Sequence, residues 1–318
     1  MNGTCRLCGK NGPLIYSHLI PRFAVKWLKK TSATGYLRSL LSGKRHQETK
    51  RQYLLCSGCE QLLGRDEKRF AEQIFIPYQQ KPQPTSFKYE EWFLRFLVGL
   101  HWRALVTSEP VPENVRSVFT AAEERWRQYL LGKASDPGTT EFHVQFGDVV
   151  DRSTFNLPKK INWYMARAFD STPIFTPSGT DALSYVKLPR FIMLAFISPR
   201  DPKEEDWNGT QVATKGVIQV KQNISTARFG KYFLERAKEL DDAPPALTDR
   251  QKQKLFEQAK ANPQIFLESD SFQVHLADRR MRAIEAARNQ RFDIKGRDRN
   301  KRCPCGSGIK AKKCHGRP

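Results

Sequence analysis

Between residues 60 and 302 the chain has no cysteine. Its seven cysteines fall in two end groups, so the long middle carries neither a disulfide framework nor a thiolate metal site. Acidic residues are scarce where basic ones are dense. Residues 1–53 hold eleven Lys/Arg and one acid, Glu48, while residues 279–318 hold fourteen Lys/Arg and three acids. Long apolar runs are missing as well. The stretch WFLRFLVGLHW at 92–102 is too short to span a bilayer and carries Arg95. No charged-then-apolar signal sequence opens the chain. A soluble cytoplasmic protein without a membrane partner is therefore expected. There is no internal repeat and no Gly-x-x-x-x-Gly-Lys phosphate loop, and histidines number only six.

What is present is enough to fold. The 318 residues are 39% hydrophobic and 11% aromatic, room for two or three domains with a sizeable core. The net charge of +21 resides in the two ends, because residues 54–278 balance. Charge gathered this way suits a polyanion. Two solvated basic tails are the plain alternative, and the cysteines argue against it. Cys5-x-x-Cys8 and Cys56-x-x-Cys59 are two knuckles whose four thiolates complete one closed tetrahedral zinc site. In CPCGSGIKAKKCHG, Cys303, Cys305, Cys314 and His315 supply three thiolates and an imidazole for a second structural zinc, with Gly306 and Gly308 permitting the turn.

This last stretch resembles the SEC-C motif, the small zinc module at the C-terminus of the SecA translocation ATPase and of many other bacterial proteins. Cys-x-Cys, eight residues, then Cys-His covers nearly all of 302–316. The resemblance implies docking to a protein partner or the ribosome and no catalytic role.

Along the chain, the pattern predicts an α+β protein. Residues 1–78 form the first unit, in which PRFAVKWLKK suits a short basic helix or an irregular segment, QYLLC a strand, and 60–76 an amphipathic helix that Gly64 can interrupt. After the proline-rich 77–86, a central body spans 87–290. It is helical over 87–131 (helices at 87–106 and 112–131) and strand-rich over 140–222 (strands at 141–150, 190–198 and 216–222, with a helix in KINWYMARAF). It is helical again over 226–290, at 226–240, 248–261 and 273–290. A basic linker, 291–301, leads to the zinc module at 302–318. No catalytic constellation emerges from the middle. His101, His143 and His275 lie in apolar or amphipathic segments and read as packed residues, and His46 as a loop residue.

The segment YSHLIPRF lies just past the first knuckle. If zinc ties the knuckles together, Glu60 is fixed beside the knot and the segment after Cys8 returns to it. A histidine and a carboxylate then face one another. Phosphodiester hydrolysis uses such a pair: a neutral imidazole to deprotonate water, and a carboxylate-held divalent cation to neutralise developing charge. Arg22, Lys26, Lys29, Lys30, Lys44, Arg45, Lys50 and Arg51 can meet the phosphate backbone.

Residues 5–67 resemble the HNH (His-Me finger) endonucleases, whose zinc-bearing branch carries Cys-x-x-Cys, Asp-His-Ile-x-Pro and Leu-Cys-x-x-Cys-Asn. SHLIP stands at the Asp-His segment and LLCSGCE at the second knuckle. The resemblance implies a ββα-metal (treble-clef-like) finger with His18 as general base and Glu60 at the metal-binding Asn. It implies one catalytic Mg²⁺ or Mn²⁺, nucleic acid, DNA foremost, as substrate, and a setting in defence against phage or mobile elements. Ser17 departs from the family's acidic metal ligand, a hydroxyl being a weak ligand for Mg²⁺, and Asp66 and Glu67 are reserve ligands. Two rivals stand beside this reading: a zinc finger that binds nucleic acid without cutting, where His18 caps a turn, and a ribosome- or secretion-associated factor built around SEC-C.

Overall fold

The computed structural model describes residues 1–38, 45–46, 51–150, 157–176, 178, 181–198, 207–222, 227–242, 248–289, 294, 296–304 and 308–314. Lys44, Lys50, Cys305 and His315 lie outside the described residues, as do the side chains of Arg45 and His46. The protein is α+β, as its patterning predicts.

Strand β1 (Asn2–Thr4) leads into the first knuckle, and β2 (Asn11–His18) leaves it. Gly9, at φ 74°, takes the left-handed turn between them, where its N–H donates to the Cys5 carbonyl at 2.9 Å. Helix α1 (Arg22–Lys30) follows, burying Ala24, Val25 and Leu28. Short β3 (Leu37–Arg38) and β4 (Arg45–His46) pair with each other. Strand β5 (Arg51–Cys56) then completes the antiparallel sheet β1-β2-β5 and runs into α2 (Ser57–Phe70). Gly64 does not interrupt this helix. It widens instead into a π turn at Ala71–Phe75 and continues as α3 (Ile76–Gln79). The wider turn rotates the helical face, so Phe70, Ala71, Ile74, Phe75 and Tyr78 are all buried.

The body begins with β6 (Ser86–Tyr89), where the sequence suggested helix. Phe87 and Tyr89 are buried about an exposed Lys88, a period of two, and the strand pairs antiparallel with β11 (Gly216–Gln219). Between these strands come α4 (Glu91–Val106), α5 (Glu113–Leu130), β7 (Glu141–Phe146), α6 (Ile161–Arg167), β8 (Asp170–Phe175), β9 (Ala182–Leu188) and β10 (Phe191–Phe196). A four-stranded antiparallel sheet takes the order β7-β10-β9-β8. Every residue of β10 is buried because both faces are covered: Phe191, Met193 and Ala195 join the main core, while Ile192, Leu194 and Phe196 pack with Trp207 and the helix beyond.

The C-terminal helices are α7 (Ala227–Asp242), α8 (Asp249–Ala261), α9 (Pro263–Glu268) and α10 (Asp270–Asn289). The last helix starts earlier than the pattern suggested, after a separate turn at α9. His101 and His143 are buried, hydrogen-bonded to Ser184 (2.9 Å) and Thr210 (2.8 Å). His275 departs from the packed reading and stands exposed on α10.

Two packing features position the finger. The first is α2 against α4: Phe70 stacks on Phe96 at 4.1 Å, and a Cβ at Gly99 would meet Leu63 at 3.2 Å, so glycine there allows the approach. Residues of the finger and body thus share one apolar core, from Cys5 to Ile218. The second is Arg167, which donates to the Leu28 carbonyl (2.7 Å) and Thr31 Oγ1 (2.6 Å), satisfying the end of α1, and pairs with Asp270 (2.9 Å).

Candidate functional site

The four N-terminal thiols converge. Cys5, Cys8, Cys56 and Cys59 have all their sulfurs within 4.8 Å of one another. Two sulfurs bound ~2.3 Å from one tetrahedral zinc stand ~3.8 Å apart, and Cys8 Sγ lies 3.8 Å from Cys56 Sγ. Burial raises the Cys59 thiol well above its ordinary value, and neighbouring thiols push it further. Burial also acts to raise Cys5, but hydrogen bonds from the Cys8, Cys56 and Leu7 backbone outweigh it and bring the thiol to about 7. Four thiolates so close together need a dication between them, which fits zinc. The knuckle is latched to the body by Arg127, which donates to the Leu7 carbonyl at 2.9 Å.

From this knot β5 and α2 leave with fixed register. Leu14 pairs with Cys56, Ile15 with Leu55, Tyr16 with Tyr53, Ser17 with Gln52 and His18 with Arg51, with a bulge between Ile15 and Tyr16. The bulge lets Leu54 and Leu55 both be buried. The unit is a strand pair followed by a helix, with His18 at the end of its first strand.

Ser17, 1% exposed, donates to Glu60 Oε2 at 2.8 Å, so the hairpin and the first turn of α2 meet at these two residues. His18 is half-buried, and Arg51 Nε donates to its Nε2 at 2.9 Å. Because Arg is a donor only, that nitrogen carries the lone pair and the ring proton sits on Nδ1. Burial lowers the His18 pKa below its ordinary value; Arg51, Arg22 and Arg103 add to the effect, and Glu60 opposes it. Burial and the surrounding arginines favour the neutral imidazole.

Arg103 and Glu67 complete the surroundings. Arg103, 3% exposed, pairs with Glu67 Oε1 at 2.7 Å and donates to the His18 carbonyl at 3.3 Å. Burial raises the Glu67 carboxyl despite this partner. Asp66 turns away to Arg95 (3.2 Å). Of the two reserve acids, Glu67 is thus committed to Arg103 and Asp66 points elsewhere. Arg103 was not singled out from sequence, although a second arginine, after Arg95, in a largely apolar helix was the available signal. Among the proposed phosphate contacts, Arg22, Lys26 and Lys30 are exposed on α1, Lys29 is half-buried, and Arg51 lies on His18.

At the other end, Cys303 and Cys314 pack with Ala311 and Ile294. The Cys303 N–H donates to the Ile309 carbonyl at 2.8 Å, and Arg302 bridges Lys310. A 3₁₀ turn, Gly296–Asn300, precedes them within the basic linker. The family model described as the SEC-C motif matches residues 299–317, so this segment carries that motif. The chain matches no curated protein and no solved structure. Among the described residues, no helix is long and apolar enough to cross a membrane.

Proposed function

We propose that the finger of residues 1–78 is a metal-dependent HNH-type endonuclease that hydrolyses phosphodiester bonds of nucleic acid, with DNA as its substrate. The observation that carries this reading is the contact of Ser17 with Glu60 across the hairpin and helix, next to a neutral His18. Glu60, with Ser17 turned to it, would hold a Mg²⁺ or Mn²⁺ ion. Such an ion, when bound, neutralises charge on the phosphate and the leaving oxygen.

His18 takes the proton of the attacking water at Nε2. In the resting protein Arg51 donates to that nitrogen. A substrate phosphate is a stronger, charged acceptor for the guanidinium. It draws Arg51 onto itself and frees the lone pair, so binding of the backbone arms the base. Arg103 holds the His18 carbonyl and fixes where the strand ends. The 1–78 finger serves a central body, 87–290, that selects the substrate, and a SEC-C module that docks a protein or ribosomal partner in the cytoplasm. Defence against phage or mobile elements is the setting the family analogy offers.

One observation favours a second reading. A hydroxyl, Ser17, stands at the family's acidic ligand, which suits a finger that binds nucleic acid without cutting it. Incubating zinc-loaded protein with plasmid and Mg²⁺ or Mn²⁺, beside His18→Ala and Glu60→Ala, separates the two. The nuclease reading expects cleavage by the wild type that both variants lose; equal activity in His18→Ala sinks it. Deleting residues 302–318 is expected to spare cutting in vitro. If that deletion abolishes function while His18→Ala changes nothing, the protein is a SEC-C-centred ribosome or secretion factor.

A further inference from the structure

The outward face of the hairpin carries a feature the hydrolytic chemistry does not use. Tyr16 and Tyr53 are directly opposed in the β2–β5 register, their ring centroids 5.0 Å apart at 39°. They remain 50% and 46% exposed. Two pairs further along stand His18 and Arg51, and side chains two residues apart on a strand share a face. Tyr16, Tyr53, His18 and Arg51 therefore form one patch, and the Arg51 guanidinium lies 5.9 Å from the Tyr16 ring. Ser17, between Tyr16 and His18 on the strand, turns to Glu60, whose charge still acts on His18 at the strand's end.

A cross-strand tyrosine pair also stiffens a hairpin, but that role does not require two rings left open to solvent. The charge around the patch is mostly positive: Arg51 borders it, and Arg22 and Arg103 act on His18 against the single acid Glu60. Open aromatic faces beside cations are how proteins hold bases that are not paired, the ring stacking on the base while the cation takes the phosphate. A duplex keeps its base faces inside and cannot offer them.

We infer that Tyr16 and Tyr53 are a stacking platform for unpaired bases, so the preferred substrate is a single-stranded stretch of nucleic acid whose backbone passes Arg51 and His18. This rests on the nuclease reading for its meaning, but its test does not require cutting. A phosphate seated at His18 leaves the base of the adjoining nucleotide at Tyr16, two residue pairs along the strands and on the same face.

The test is fluorescence anisotropy with the full zinc-loaded chain and no added Mg²⁺ or Mn²⁺. Three probes are compared: a short single-stranded oligodeoxynucleotide of mixed sequence, the same backbone made abasic, and its duplex. The abasic strand keeps the charge and removes the faces. Wild type is expected to bind the base-bearing strand about tenfold more tightly than the abasic one. Tyr16→Val with Tyr53→Val, β-compatible replacements, should bring that ratio to near one, and Tyr16→Phe with Tyr53→Phe should keep it. Unchanged zinc content and melting temperature establish that the valine variant is folded; if it is not, wild type and the phenylalanine pair still test the base-versus-abasic ratio. A wild-type ratio near one, or a folded valine variant with an unchanged ratio, overturns the platform. Plasmid assays run alongside keep the two claims apart. With Mg²⁺ or Mn²⁺ added, a plasmid and a single-stranded probe both left uncut, with the base preference intact, defeat the nuclease and leave the platform standing. A cut plasmid with no base preference does the reverse.

Discussion

Two cysteine clusters serve this chain on different scales. The N-terminal one joins Cys8 to Cys56 across 48 positions, and its Cys5 and Cys59 belong to the apolar core shared with α2 and α4. The C-terminal one is contained within the motif at 299–317, and its described cysteines pack with only Ala311 and Ile294 among the described residues. A metal held by the first cluster would close a long loop, fix the register of the β2–β5 pair and aim a helix. One held by the second would close a small module. Zinc held in the two clusters is therefore expected to have unequal consequences for the fold, and the site near His18 depends on the first cluster alone.

Removing a ligand from the larger cluster should have the greatest effect. Cys56→Ser should lose one zinc per chain and the cooperative fold of the finger, because the metal's binding free energy, ~10 kcal/mol or more in zinc-finger peptides, is folding free energy. Zinc analysis with thermal melts by circular dichroism reads both; a full zinc complement would contradict the assignment. His18→Ala leaves the knot untouched and should lower plasmid cleavage by roughly 10²–10⁴-fold, with zinc content and melting temperature unchanged. Arg103→Ala tests the link between body and finger. It leaves the half-buried Glu67 without its partner and should cost about 3 kcal/mol of stability, seen as a fall in melting temperature that Glu67→Gln, made in the same background, partly restores.

Smaller effects sharpen the contrast. Cys314→Ser should also lose one zinc, yet shift the stability of the body by less than ~0.5 kcal/mol. A melt as damaged as that of Cys56→Ser would mean that the two clusters are not unequal. The pH profile of cleavage should show the least change. As the proposed base, His18 acts when neutral, and burial with Arg51 holds its pKa below the ordinary histidine value. Activity should therefore be level at pH 7 and fall only as pH drops through that lowered value. Arg51→Met removes one lowering charge, so the acid limb should move to higher pH.

Much of this was legible in the residues because local spacing specified it. The knuckles, the basic helix α1, the strand into Cys56, α5 with its flanking Pro112 and Gly132, and the apolar β10 follow from period, capping residues and ligand spacing. The hairpin pairing that puts His18 beside Ser17 and near Glu60 was legible only through the two knuckles, since zinc is what joins them. What escaped depends on partners distant in sequence. β6 is a strand because β11 lies beside it, α2 passes Gly64 because its other face is held by α4, and Arg103 matters because α4 brings it to Glu67 and His18. Tyr16 and Tyr53 are unremarkable singly; only the register sets them face to face.

The measurement that bears most directly on the account is the rate of plasmid nicking by zinc-loaded wild type and His18→Ala with Mg²⁺ or Mn²⁺, both at pH 7. The account predicts metal-dependent nicking by the wild type and a loss of roughly 10²-fold or more in the variant. Equal rates in the two proteins, or no nicking by zinc-loaded wild type with either ion, would contradict it.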